Sequence, residues 1–121
     1  MLYHRDVYLP EWIKSQVKQQ GKIRLRWTNH ADDARYNDKR GVIPKLNTID
    51  LSACEVIEVE FCGTVKKVLY RANFDHRDLV IALIPQYNDL YVVKTVWWQS
   101  KDDIHSTLVV DKYVQFPPRI D

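Results

Sequence analysis

Residues 22–41, KIRLRWTNHADDARYNDKRG, change their periodicity partway along. From Lys22 to Trp27 apolar and cationic residues alternate strictly, placing Ile23, Leu25 and Trp27 on one side and Lys22, Arg24 and Arg26 on the other, as in a half-buried strand. The alternation stops at Thr28. Thr28 or Asn29 can cap a helix, Asp32 and Asp33 lie early in it against the positive end of the dipole, Lys39 and Arg40 suit its last turn, and Gly41 suits its exit. This strand feeds straight into the helix, and with the runs of strands that follow, the order of elements reads as α+β.

Working outward toward the N-terminus, Pro10 fits the first turn of a helix, Ile13 and Val17 lie one turn apart, and Gly21 is a stop, so Pro10 to Gln20 reads as a short helix. On the other side, Pro44 to Ala53 is ambiguous, with a further short helix expected near Asn47 or Thr48. From Glu55 onward the period of two returns. Ile57, Val59 and Phe61 interleave with Glu58 and Glu60, Gly63-Thr64 offers a turn, and Val65 to Arg71 returns as a hairpin partner. Leu79 to Ile84 is an apolar run that can be buried on both faces and is expected to end at Pro85. Leu90 to Trp98, LYVVKTVWW, is the strongest strand signal in the chain, and short turns between these strands imply an antiparallel meander. Thr107 to Val114 regains apolar character before Pro117-Pro118, as a C-terminal extension. The expected architecture is two to three short N-terminal helices packed on an antiparallel sheet of four to five strands, in a single domain over residues 1–121.

Bulk composition agrees with one compact domain: 121 residues, 45% hydrophobic and 28% charged. No apolar run is long enough to cross a bilayer, and MLYHRDVYLPEW lacks the basic-then-apolar order of a secretory signal, so a cytoplasmic protein is expected. Cys54 and Cys62 form no CxxC pair and read as buried or half-buried free thiols, with no metal site and no cofactor expected. Net charge is +2, unevenly spread: residues 1–50 carry four more cations than anions and the remainder two fewer. The basic first half can gather into a face that attracts a polyanion.

The helix opening with His30-Ala31, its Lys39-Arg40-Gly41-Val42-Ile43 exit, the Val56-Ile57-Glu58 strand and the Val92-Val93-Lys94-Thr95-Val96-Trp97 strand together resemble a small domain-of-unknown-function family. That family is related to the barnase, colicin and RelE-like ribonuclease toxins, and the resemblance covers roughly residues 22–98. It implies a metal-free endoribonuclease acting on RNA in a ribosome or on transfer RNA, with a protein antitoxin as a partner. Metal-free cleavage needs a group that takes the proton of the ribose 2′-hydroxyl, donors that hold the phosphate, and an acid for the leaving oxygen.

Histidine changes protonation near neutrality, which suits His30 as base or acid. Arg35 and Arg40 carry the forked donors that clamp phosphate. Arg35 follows His30 by five residues, about 140° around a helix, so the family's arginine is displaced from the histidine's face. On the last strand Lys94 and Thr95 project oppositely, and the family pattern favours Thr95 on the helix-bearing side, as a hydroxyl donor to phosphate. His105, in the polar cluster that follows, is a second histidine that can complete an acid-base pair. Arg24, Arg26, Lys67 and Arg71 are further phosphate contacts. Each residue also has a plain reading: a surface histidine, a helix arginine paired with Asp32, a β-forming threonine. The alternative function is a non-catalytic phage or mobile-element protein that binds and inhibits a host enzyme, a reading favoured by the modest net charge.

Overall fold

In a computed structural model the described residues are 21–62 and 64–102. They form a six-stranded mixed sheet with one α-helix laid over it. The strands are β1 (Lys22–Trp27), β2 (Thr48–Asp50), β3 (Glu55–Cys62), β4 (Thr64–Asn73), β5 (Arg77–Tyr87) and β6 (Leu90–Ser100), in the order β2-β1-β6-β5-β4-β3. The helix, α1, spans Asn29–Tyr36, and a 3-10 turn covers Leu51–Ala53. This corrects the expected two to three helices on a four- to five-stranded antiparallel sheet. The expected helix at Pro10–Gln20 and the C-terminal extension beyond Asp102 lie outside the described residues.

The expected helix near Asn47 is instead β2, a three-residue strand antiparallel to β1 with Ile23 opposite Ile49. The meander β3-β4-β5-β6 is antiparallel as the turn spacing requires. The pairing that closes the fold is of the other kind. β1 runs parallel to β6, with Leu25 beside Tyr91 and Trp27 beside Val93, so the sheet is mixed. Local alternation cannot reveal which distant strand a segment will join, because it reports only which of its own faces is buried.

α1 begins where the alternation predicts. Thr28 is its N-cap: the hydroxyl oxygen accepts from the Ala31 amide at 3.0 Å and its hydrogen goes to the Val93 carbonyl at 3.1 Å, tying the helix start to β6. The helix ends at Tyr36, not near Arg40. The Asn37 amide and side chain both donate to the Asp33 carbonyl, and the chain then leaves so that Asp38 can accept from the Trp98 amide at 3.2 Å. Tertiary pairing on β6 thus overrides the basic C-terminal signal carried by Lys39 and Arg40.

β5 also runs further than expected, through Pro85 to Tyr87. Its pairing with β4 ends at Leu83, so beyond that point only the β6 edge is bonded, and a register shift follows between Pro85 and Tyr87. A proline is tolerated where one edge is unpaired and a bulge absorbs its missing donor. The two-residue turn Asn88–Asp89 then reverses the chain, with Asn88 at φ 52°, a left-handed conformation that asparagine accepts readily.

The core lies between α1 and the sheet. Ile23, Ala31, Ile43, Tyr70, Leu79, Ile81, Leu83, Val93, Val96 and Trp98 belong to it, and Tyr70 is the largest fully buried side chain. Burial pushes the Tyr70 phenol well above its ordinary range, so it stays neutral. A second, smaller cluster of Ile57, Leu69, Val80 and Ala82, with Trp97 packed against it, occupies the opposite face. Cys54 is a free thiol, buried as anticipated.

Thr28 serves α1 and β6 at once, so Thr28→Ala is expected to lower stability by about 1–2 kcal/mol, while Thr28→Ser retains most of it. Urea unfolding followed by tryptophan fluorescence measures both; an alanine variant as stable as wild type would show that the cap does not hold the helix to the sheet.

Candidate functional site

Side chains opposite one another across a β ladder project to the same face, so the register assigns every strand residue to one side of the sheet. The core face carries Ile23, Leu25 and Trp27 from β1 and Val93, Val96 and Trp98 from β6. The second face is chemically different. One row across it is Glu58, Leu69, Ala82 and Thr95; the next is Glu55, Arg71, Val80 and Trp97; a third is Asn73, Asp78 and Gln99. Arg24 and Arg26, beside Leu90 and Val92, lie on this same face, as does Lys67 opposite Glu60. Five of the residues selected from sequence, Arg24, Arg26, Lys67, Arg71 and Thr95, are therefore brought onto one surface.

Thr95 reaches that face through an irregularity. Strict alternation from Val93 would keep it on the helix-bearing side, as the family pattern favoured. The register slips between Ala82 and Leu83, so that Val93 pairs with Leu83, Thr95 pairs with Ala82, and Lys94 is the extra residue of a bulge. Every residue after the bulge changes side. Val96 and Trp98 thereby enter the core, and Thr95, Trp97 and Gln99 join the second face.

The polar groups there are ordered by one another. Arg71, 7% exposed, donates from Nε to Asp78 at 2.7 Å and from an Nη to the Ser100 carbonyl at 2.8 Å. Lys101 completes the cluster, donating to Asp78 at 2.7 Å and to the Asn73 side chain. The Trp97 indole N–H donates to the Gln99 side-chain oxygen at 2.9 Å. Glu58 and Gln99 are each 8% exposed, and charged or amide groups buried to that degree are unusual unless held by partners. Sequence reasoning did not select Glu58. Its signal was present as a carboxylate in an apolar strand, but the bulge between Val56 and Glu58, which puts Ile57 and Glu58 on the second face together, has no local signature.

Burial alone would push the Asp78 carboxyl up, but hydrogen bonds from Lys101 and Arg71 outweigh it and hold the group below the usual carboxylate range. Arg24 does the same for Asp89 in the β5–β6 turn, with an Nη 2.9 Å from the carboxylate. Lys67 stands 3.7 Å from Glu60.

The remaining sequence-selected residues lie elsewhere. His30 is exposed on α1, on the helix-bearing side. Arg35 is a positioning group for the loop after α1: its Nε lies 2.7 Å from Asp32, one Nη donates to the Ile43 carbonyl at 3.1 Å, and its own carbonyl accepts from the Ile43 amide at 2.9 Å. This two-way clamp seats Ile43 in the core. Arg40 is beyond the end of α1, where an Nη donates to the Trp98 carbonyl at 3.4 Å. His105 lies outside the described residues. Among the described residues no cluster of histidine, cysteine or carboxylate side chains is arranged to hold a metal ion.

Because the Asp78 carboxyl titrates lower in the folded chain than in the unfolded one, its stabilising effect is complete above the unfolded pKa of about 3.9 and is lost as pH falls through the lower, folded value. Asp78→Asn is expected to be less stable than wild type at neutral pH and to lose less stability on acidification, as read from urea midpoints between pH 6 and pH 3. Parallel curves would show that the Arg71–Asp78–Lys101 cluster does not contribute. Beyond this internal chemistry, no protein-family model, no curated protein and no solved structure matches the chain.

Proposed function

We propose that the chain is a metal-free endoribonuclease of the toxin type, and that its working surface is the second face of the sheet. The observation that carries the reading is the placement of Arg24, Arg26, Lys67, Arg71 and Thr95 on that one face, which also carries the carboxylate of Glu58 on β3. The cations stand on β1 and β4, with β6 and β5 between them, so a polyanion lying across strands spaced about 4.8 Å apart meets positive charge at both ends of that span. Glu58 supplies a base for the ribose 2′-hydroxyl. The 2′-oxygen then attacks the neighbouring phosphorus, the bond to the 5′-oxygen breaks, and a 2′,3′-cyclic phosphate is left on the upstream fragment. Arg71, on the strand beside Glu58, holds the phosphate oxygens as charge accumulates on them, and Thr95, three strands from Glu58 on β6, donates to a neighbouring phosphate of the same RNA. The leaving oxygen needs a proton, and His105, five residues beyond Ser100, is the residue assigned to give it.

One observation favours the alternative of a non-catalytic binder that occupies a host enzyme. Arg24, Lys67 and Arg71 each stand beside an acid, Asp89, Glu60 and Asp78, which lowers the positive potential the face offers to RNA.

The two readings separate on incubation of the protein with total cellular RNA and with ribosomes. Cleavage is expected in wild type, with Glu58→Gln and His105→Ala each lowering the rate by about 10²-fold or more, as general acid-base groups do, and Thr95→Val lowering it severalfold through weaker RNA binding. His30→Ala, altered on the other side of the sheet, is expected to cleave within about twofold of wild type. Absence of cleavage by the wild-type protein would sink the nuclease reading and leave the binder.

A further inference from the structure

At the end of the sheet where β5 begins and β6 finishes, an open recess of about 310 Å³ is lined by Phe74, Asp75, His76, Arg77 and Trp98. It lies on the helix-bearing side, since Trp98 is opposite Leu79 in the core face. Its floor is rigid. The Trp98 indole N–H donates to the Gly41 carbonyl at 3.0 Å, its amide donates to Asp38, and Phe74 meets its ring edge-on with centroids 5.4 Å apart. Over this indole lies the Arg77 guanidinium, 4.7 Å from the ring centroid, with one Nη donating to the Arg40 carbonyl.

Stacking and that hydrogen bond fix the guanidinium plane, and among the described residues no further hydrogen bond takes up its other N–H donors, which can serve a ligand. Gly41 makes room for it: a Cβ there would stand 3.1 Å from an Arg77 Nη, and the φ of +127° is one that residues with a side chain rarely adopt. His76, exposed in the turn before β5, adds a further donor to the lining. Asp75 is the one carboxylate of the lining, so the recess is not a bare anion hole; it offers an acceptor beside its donors.

An aromatic floor, an oriented guanidinium, a histidine and one carboxylate in a space of this size fit a nucleotide better than a free anion. We infer that this recess is a nucleotide subsite: Arg77 and His76 hold a phosphate, the base lies against the Phe74 and Trp98 edges, and Asp75 accepts from an amino or imino group of the base. The inference deepens the ribonuclease reading and rests on it. Arg77 and Asp78 are consecutive on β5, as are Trp98 and Gln99 on β6, and they point to opposite faces. An RNA strand that rounds this end of the sheet passes from the Arg71–Lys101 cluster on one face to the recess on the other, so the recess takes a nucleotide beyond the reacting phosphate on the same RNA.

Titration of the full chain with 5′-AMP, followed by amide and indole NMR shifts, tests this directly. Shifts are expected at Phe74 to Arg77 and at the Trp98 indole, with inorganic phosphate and adenosine each binding more weakly. Arg77→Gln is expected to weaken 5′-AMP binding by about tenfold or more, the scale of one charged hydrogen bond. His76→Gln, in an exposed turn that the fold does not need, is expected to weaken it severalfold and keeps the test decisive if Arg77→Gln fails to fold. No shifts at the recess, or binding indifferent to His76→Gln, would overturn the inference. The outcome is separable from catalysis: a chain that cleaves no RNA yet binds 5′-AMP here retains the subsite and loses the nuclease reading, whereas an active nuclease with a silent recess retains only the nuclease reading.

Discussion

The parallel contact between Arg24–Trp27 and Leu90–Val93 joins segments about 65 residues apart in sequence, and it is the link that makes one sheet out of a hairpin meander and an N-terminal βα unit. Without it β6 would be an edge, with one row of unpaired backbone groups and an apolar flank facing water. With it β6 is bonded on both sides, and α1 is drawn over it from Thr28 at one end to Asp38 at the other. Closing so long a loop costs entropy that only the burial of Trp27, Val93, Ala31 and their neighbours returns, so the β1–β6 contact and the core beneath α1 must form together. The short β2 and the Arg35 clamp on Ile43 finish the covering of that core.

The same arrangement sorts the chemistry. On the helix-bearing face Arg35 seats a loop, and Arg40 and Arg77 meet at the Trp98 corner. On the second face the cations stand among carboxylates and amides, and the polar groups are held by each other and not by solvent alone. The Arg71–Asp78 pair is the mostly buried part of this face and resists rearrangement, because removing either partner leaves the other's charge without its match. A surface of that kind is suited to hold functional groups still.

Much of this was readable in the chain. The bounds of β1, the Thr28 cap and the hairpin partners follow from alternation and turn chemistry, and these depend on neighbours within a few residues. The parallel pairing, β2, and the early end of α1 were not readable, since each is decided by a distant partner: Val93, Ile23 and Trp98 respectively. Site residues divided along the same line. Arg24, Arg26, Lys67 and Arg71 are grouped by simple parity within their strands, whereas Thr95 and Glu58 reach the second face through bulges, which exist only as relations between two strands.

Lys94 itself projects into solvent and is free to be many residues, but its presence as a counted position is not optional. Removing it would exchange the destinations of all that follows in β6, sending the Trp98 indole away from Gly41 and Trp97 into its place. The strand is thus tolerant of substitution at this point and intolerant of a change in length. Among relatives of this chain, position 94 should drift in identity while no insertion or deletion enters between Val93 and Thr95.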